Sequence, residues 1–315
     1  MRVNRTIISL VLSGAFTSAH AQSEITAGFD GFISAGFGPS TTRFDSDSIE
    51  SRSTNPISEL RSSVAYTDPS GFGIQLDQVF SNSKATLGSG GTLVSTTVVS
   101  ADSAAHFFYR NNSGLLGAFV QQRRYDISAG TGSADLSDDF WGSLMTGLLK
   151  PRDLFGLEGQ TFFGDLEISV QAGRQQQDYR LGQGYKGSGN FGSITMNYFL
   201  QDNWKIGLRA AESRLVTNGN IASGDFAARS SSYGLQTEYR FTSSPFSVFA
   251  RYDRINGSIS TDAWGFDMKD DRFLAGVKIT FGSGSLRSQA TGGASLNPVR
   301  PDDSFQTFFV NPTPP

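Results

Sequence analysis

The sequence predicts an all-β protein: a closed antiparallel transmembrane β-barrel of about 12 strands, with 14 as the alternative count. Three observations lead there. The N-terminus reads as an export signal, period-two segments recur along the chain, and short turns between those segments alternate with long polar connections.

Arg2 and Arg5 form a short basic region, Ile7 to Phe16 a mostly apolar stretch, and Ala19-His20-Ala21 a small-x-small cleavage site. This is the pattern of a secretory signal peptide, so residues 1–21 are expected to be removed and 22–281 to form the barrel. Cysteine is absent, which excludes a disulfide framework, a cysteine-based zinc site and a lipoprotein anchor. The formal net charge is −3, and losing Arg2 and Arg5 makes it −5. No basic run appears, so no nucleic-acid partner is expected. Only 37% of residues are hydrophobic, with 36 Gly and 26 Phe among 315. A barrel with a polar lumen averages to such a composition, because only alternate residues meet lipid.

The alternation is clearest near residue 240. Tyr233, Leu235, Thr237, Tyr239 and Phe241 interleave with Gly234, Gln236, Glu238 and Arg240. After Ser243-Ser244-Pro245, Phe246, Val248, Ala250 and Tyr252 interleave with Ser247, Phe249, Arg251 and Asp253. Two strands with one apolar and one polar face, joined by a tight turn, satisfy this pattern. Comparable hairpins turn at Asp68-Pro69-Ser70-Gly71, Asn111-Asn112-Ser113-Gly114, Gly164-Asp165 and Gln201-Asp202-Asn203. The longer polar segments at 38–56, 83–100, 127–153, 179–188, 216–229 and 258–270 are expected to be extracellular loops.

Strands are accordingly expected at about 25–37, 57–67, 71–82, 101–111, 114–126, 154–163, 165–178, 189–200, 203–215, 230–242, 245–257 and 271–281. Residues 138–149 are excluded as a thirteenth, since an odd count would part the two ends, unless 259–268 also pairs. Tyr66, Phe72, Tyr109, Phe163, Tyr198, Trp204, Phe241, Phe246 and Phe281 flank the short turns and predict one aromatic girdle. Phe37, Phe80, Tyr233, Tyr252 and Phe273 predict a looser second one. A soluble β-sandwich also alternates, but has no need of aromatics ranked beside one set of turns.

The exported N-terminus, the strand-turn-strand NYFLQDNWKIGLR at 197–209 and the closing strand RFLAGVKITF at 272–281 resemble porin-like outer-membrane proteins of Gram-negative bacteria. The resemblance implies an outer-membrane location and a final strand that ends in Phe281 as the signal read by the barrel insertion machinery. Lipid and lipopolysaccharide are then the expected surroundings. Phe281 is followed by 34 residues, a departure from the pattern. The Gly, Ser and Pro content of 282–315 favours a disordered periplasmic tail. Entry into the lumen as a plug, or a last strand that includes Phe308-Phe309, are the alternatives.

Charges on the polar face must point inward, because a cation at the bilayer midplane costs ~2–4 kcal/mol. The pore-lining candidates are Arg61, Asp77, Arg110, Glu167, Lys205, Arg209, Glu238, Arg240, Arg251, Asp253, Arg272 and Lys278. Asp30, Glu158, Gln75, Gln160, Gln171 and Gln236 face the same way. The basic excess predicts a passive pore for small hydrophilic solutes with a weak anion preference. A structural or surface-recognition barrel with a closed lumen is the alternative, and an outer-membrane hydrolase a distant third.

His106 is the only histidine left after cleavage, and nothing beside it marks a nucleophile, so no enzyme is expected. Asp135, Asp138 and Asp139, and Asp267, Asp270 and Asp271, lack the spacing of a calcium loop, so no metal is expected. Gly182-Gln183-Gly184-Tyr185-Lys186-Gly187 fits a Gly-x-Gly-x-x-Gly string but opens no helix, and no cofactor is expected. The oligomeric state is left open, because no flat patch of small residues marks a contact.

Overall fold

The computed structural model describes residues 27–46, 49–89, 92–130, 151–178, 186–218, 226–260 and 265–299. The signal peptide expected at 1–21 lies outside them. Twelve strands follow in chain order: β1 (Gly28–Ser46), β2 (Ile49–Thr67), β3 (Phe72–Ser89), β4 (Thr92–Asn111), β5 (Gly114–Gly130), β6 (Arg152–Phe163), β7 (Leu166–Asp178), β8 (Lys186–Gln201), β9 (Trp204–Asn218), β10 (Phe226–Arg240), β11 (Phe246–Ser260) and β12 (Gly265–Phe281). Each pairs antiparallel with its sequence neighbours, and β12 pairs with β1 from Gly31 opposite Phe281 to Asp45 opposite Asp267. The sheet is therefore closed and has no free edge, the condition for a sheet to survive in lipid.

The five turns that the sequence marks, at 68–71, 111–114, 164–165, 201–203 and 243–245, all fall at one end, the periplasmic end of this architecture. Their chemistry is local. Asp68 Oδ1 accepts from the Ser70 and Phe72 N–H groups, and the Ser70 hydroxyl, the first of its stabilising partners, holds the exposed Asp68 carboxyl below its usual pKa. Asn111 Oδ1 likewise accepts from the N–H groups of Ser113 and Gly114. Gly164, at φ 62°, supplies the left-handed residue of the β6–β7 turn.

The outer surface carries the apolar face. On β9, Trp204, Ile206 and Leu208 are exposed before Glu212 and Arg214 take over. On β12, Phe281, Ile279, Val277 and Phe273 precede Asp271, Lys269 and Asp267. Nine residues, 273–281, thus span the apolar band, ~30 Å of strand at ~3.3 Å per residue. Tilted by ~40°, that length matches an outer-membrane band of ~25 Å. All nine aromatics of the first girdle and all five of the second are exposed.

The strands run on well beyond the band. The segments expected as loops at 38–56 and 83–100 are largely strand, as β1 with β2 and β3 with β4 continue upward in register to Ser46 opposite Ile49 and Ser89 opposite Thr92. Above the membrane both faces of such a hairpin meet water, so apolar alternation stops while pairing does not. Of the segment 259–268, the described residues 259–260 and 265–268 pair as the ends of β11 and β12, Ile259 opposite Phe266, and add no further strand; 261–264 lie outside the described residues. Residues 138–149 lie outside the described residues.

The tail expectation is corrected. Gly282, at φ 92°, turns the chain under β1, where a Cβ would strike the Phe29 carbonyl oxygen and Asp30. The chain then enters the barrel as α1 (Leu286–Gly292), capped by a reciprocal Ser285–Ser288 box, and continues without regular secondary structure to Val299. Residues 300–315 lie outside the described residues.

Leu208 stands in mid-band, so Leu208→Arg is expected to lower folding stability in lipid vesicles by about 2–4 kcal/mol. A urea titration there that shows no change would place Leu208 away from hydrocarbon.

Candidate functional site: the partly filled lumen

The inner face is not uniformly polar. Apolar neighbours stand side by side at several positions, among them Phe32-Ile33, Phe107-Phe108, Leu115-Leu116, Phe119-Val120, Phe162-Phe163 and Phe199-Leu200. Period two sends one member of each pair to lipid and the other inward. The inward members, Phe32, Phe108, Leu115, Phe119, Phe162 and Phe199, are buried against the C-terminal segment. Leu286 and Ala290 pack on Phe162 and Phe199. Ala294 packs on Phe32 and Ala65, Leu296 on Phe108 and Leu115, and Val299 on Phe119, Leu154 and Phe191. Burying Leu286, Leu296 and Val299 contributes about 1.5–3 kcal/mol each, an upper estimate. These adjacent pairs were the signal that the outward-apolar, inward-polar assignment passed over.

Polar side chains of the wall hold the segment's backbone. Gln75 donates Nε2 to the Leu296 carbonyl at 2.8 Å and accepts the Leu296 N–H at 3.2 Å. Gln121 does the same for Val299, at 2.8 Å in both directions. Asp30 accepts the Ala294 N–H at 2.9 Å and the Ser283 hydroxyl. Arg110 donates to the Gly293 carbonyl and the Ser295 hydroxyl. Gln171 donates to the Asn297 carbonyl and Arg61 to the Asn297 side chain. At the periplasmic mouth Arg287 bridges Asp165 and Asp202 in two turns.

Behind the segment, buried charges are paired. His106 is fully buried, with Nδ1 2.9 Å from Glu158; Nε2 lies 3.1 Å from Asp77, within ion-pair range but off the hydrogen-bond axis. Both ring nitrogens therefore face carboxylates. Asp102 holds Arg123 at 2.5 Å there, and farther up the barrel, on β12, Asp270 holds Arg272 at 2.5 Å. On the opposite wall Arg251 bridges Glu59 and Asp253, Arg209 also meets Asp253, and Glu238 is shared by Lys205 and Lys278.

A cavity of about 150 Å³ remains between the segment and the wall of β7 to β12, β1 and β2. Of the 12 predicted pore-lining residues, Arg61, Glu167, Lys205, Arg209, Glu238, Arg251 and Lys278 line it. Asp253 stands behind Arg209 and Arg251. Asp77 and Arg110 face inward too, but in the wall that carries the segment. Arg240 donates to the Ser244 carbonyl near the β10–β11 turn, and Arg272 lies up the barrel toward the long connections.

The acidic groups weighed as metal ligands divide. Asp270 points inward, while Asp271 meets Arg254 on the outside, so alternation separates them. Asp135, Asp138 and Asp139 lie outside the described residues. No group of three or more metal-ligating side chains is found among the described residues. In the glycine string, Lys186 and Gly187 open strand β8 and no helix.

No protein-family model and no curated protein matches the chain. Among solved structures, it is similar to an outer membrane channel from Pseudomonas putida F1, with 10% identity, a TM-score of 0.56, and coverage of 84% of this chain and 100% of that one. It is also similar to the translocator domain of the autotransporter NalP from Neisseria meningitidis, with 12% identity, a TM-score of 0.47, and coverage of 88% and 94%. The first likeness shows a shared fold. With the apolar band and its girdles, it identifies an outer-membrane β-barrel.

His106→Ala would leave Asp77 and Glu158 buried without their common cation. The expected loss is about 3–5 kcal/mol of stability, read from the urea midpoint of the folded barrel. An unchanged midpoint would show that the histidine does not tie β3 and β6 to β4.

Proposed function

We propose that the protein is a passive diffusion channel for small hydrophilic solutes, with its path in the polar space that the C-terminal segment leaves along β7 to β12. The observation that carries this reading is the cavity itself. It is lined by charged and amide side chains where a barrel sealed for stability would place apolar contacts. The outer membrane channel of similar fold supports it. A polar space of about 150 Å³ is wide enough for water and suits small ions and hydrophilic solutes.

A weak anion preference follows from how the pairs are set. Arg209 is 24% exposed and its partner Asp253 4%, Lys205 18% against Glu238 10%, and Arg251 11% against Glu59 4%. In these three pairs the cation is the more exposed partner, so a solute meets more positive than negative ends; Lys278, 9% exposed beside Glu238 at 10%, does not add to the bias. His106 is taken as structural, because its ring nitrogens are turned to carboxylates and not to a hydroxyl.

A closed structural or surface-recognition barrel is the second reading, favoured by the docked segment. Purified full-length protein in planar bilayers separates the two. Stepwise conductance is expected, and silence over many insertions would make the closed barrel correct. In a salt gradient the double variant Lys205→Gln, Arg209→Gln should move the reversal potential toward cation preference, while Lys278 and Arg251 still neutralise Glu238 and Asp253. An unmoved potential would take those residues off the path. Lipid or peptide hydrolysis that His106→Ala abolishes would overturn the non-enzymatic reading.

A further inference from the structure

We propose that the inner wall of β1 to β6, with Phe191 of β8, is a binding site for a peptide segment without regular secondary structure, and that residues 294–299 are its resident, exchangeable ligand. The class of ligand is set by the wall. Gln75 and Gln121 each offer a carboxamide that both gives to and takes from a single residue of the segment, Leu296 and Val299. This reads main chain, whatever the side chains. Side-chain selectivity comes from three separate pockets: Phe32 with Ala65 for a small residue, Phe108 with Leu115 for Leu296, and Phe119 with Leu154 and Phe191 for Val299. Arg110 adds bonds to the Gly293 carbonyl and the Ser295 hydroxyl.

Exchange is possible because the segment takes no part in the wall's ladder. β1 through β12 close on one another without it, and its bonds to the wall along 294–299 are made by wall side chains. Its withdrawal leaves every inter-strand bond in place and returns polar groups to a watery lumen. Close approaches guard its entry at Gly282, where a Cβ would strike Phe29 and Asp30, and at Gly293, where a Cβ would run into the Asp30 carboxyl. When the site empties, the channel widens. That consequence rests on the proposed channel reading, whereas peptide binding does not.

The test uses the full chain. Gly293→Val, and independently Leu296→Asp, should unseat the segment while the barrel stays folded, with trypsin cleavage after Arg287 reporting that it has left. A fluorescent synthetic peptide of residues 283–299 should then bind saturably by anisotropy. Adding Gln75→Ala and Gln121→Ala should weaken binding at least tenfold, and a scrambled peptide should not bind. In planar bilayers each unseated variant should show at least twice the unit conductance of the parent, reversed by the peptide. Saturable binding with no conductance at all would sustain the site and defeat the channel reading. An Arg287 bond that stays protected in both variants, or cleaved variants that bind parent and scrambled peptide alike, would overturn the proposal.

Discussion

Closure of the hydrogen-bond ladder is the constraint on which the rest depends. In hydrocarbon each unpaired backbone N–H or C=O costs several kcal/mol, so the pairing of β12 with β1 is what allows the sheet to sit in a membrane. Once the cylinder is shut, each strand position has only two environments, lipid or lumen, and residue choice follows. The exposed Leu, Val and aromatic side chains that would make a soluble protein aggregate are here in their proper solvent. The same closure frees the interior from any duty to pair backbone, leaving its side chains available for other contacts.

Those side chains divide the lumen in two. One half is filled by the chain's own C-terminal segment, with apolar residues of the segment seated on inward phenylalanines and its backbone held by amides, a carboxylate and an arginine. The other half keeps a row of charged pairs around a polar cavity. A buried ion pair is weak evidence of stabilisation, because desolvation offsets attraction. The pairs beside the cavity keep some exposure and so avoid part of that cost. Those under the segment, His106 with Asp77 and Glu158 above all, do not, and their partners surround them on both sides.

The segment also explains an oddity of composition. A lumen open to water has no use for Phe108, Phe119 or Phe199, and a lumen packed solid has none for Lys205 or Arg209. Both kinds occur because different sectors of one wall face different things. A two-sided surface around a narrow space gives small displacements of the segment a large effect on the width of the path.

Strand positions, turn chemistry, the count of 12, both girdles and the inward face of every charged candidate were legible from period two and turn residues alone, because the two solvents of a barrel wall impose that period directly. The upper reaches of β1 to β4 were not, since above the membrane both faces meet water and the pattern that marks a strand disappears. The Gly282–Val299 segment was not legible either. Its own composition is that of a flexible tail, and what orders it lies more than 80 residues away in the chain. By itself the sequence determined a closed membrane cylinder with charge inside. Only the tertiary structure decided which of those charges face a cavity and which lie beneath a docked peptide, because that depends on where Leu296 and Val299 find phenylalanines contributed by separate strands.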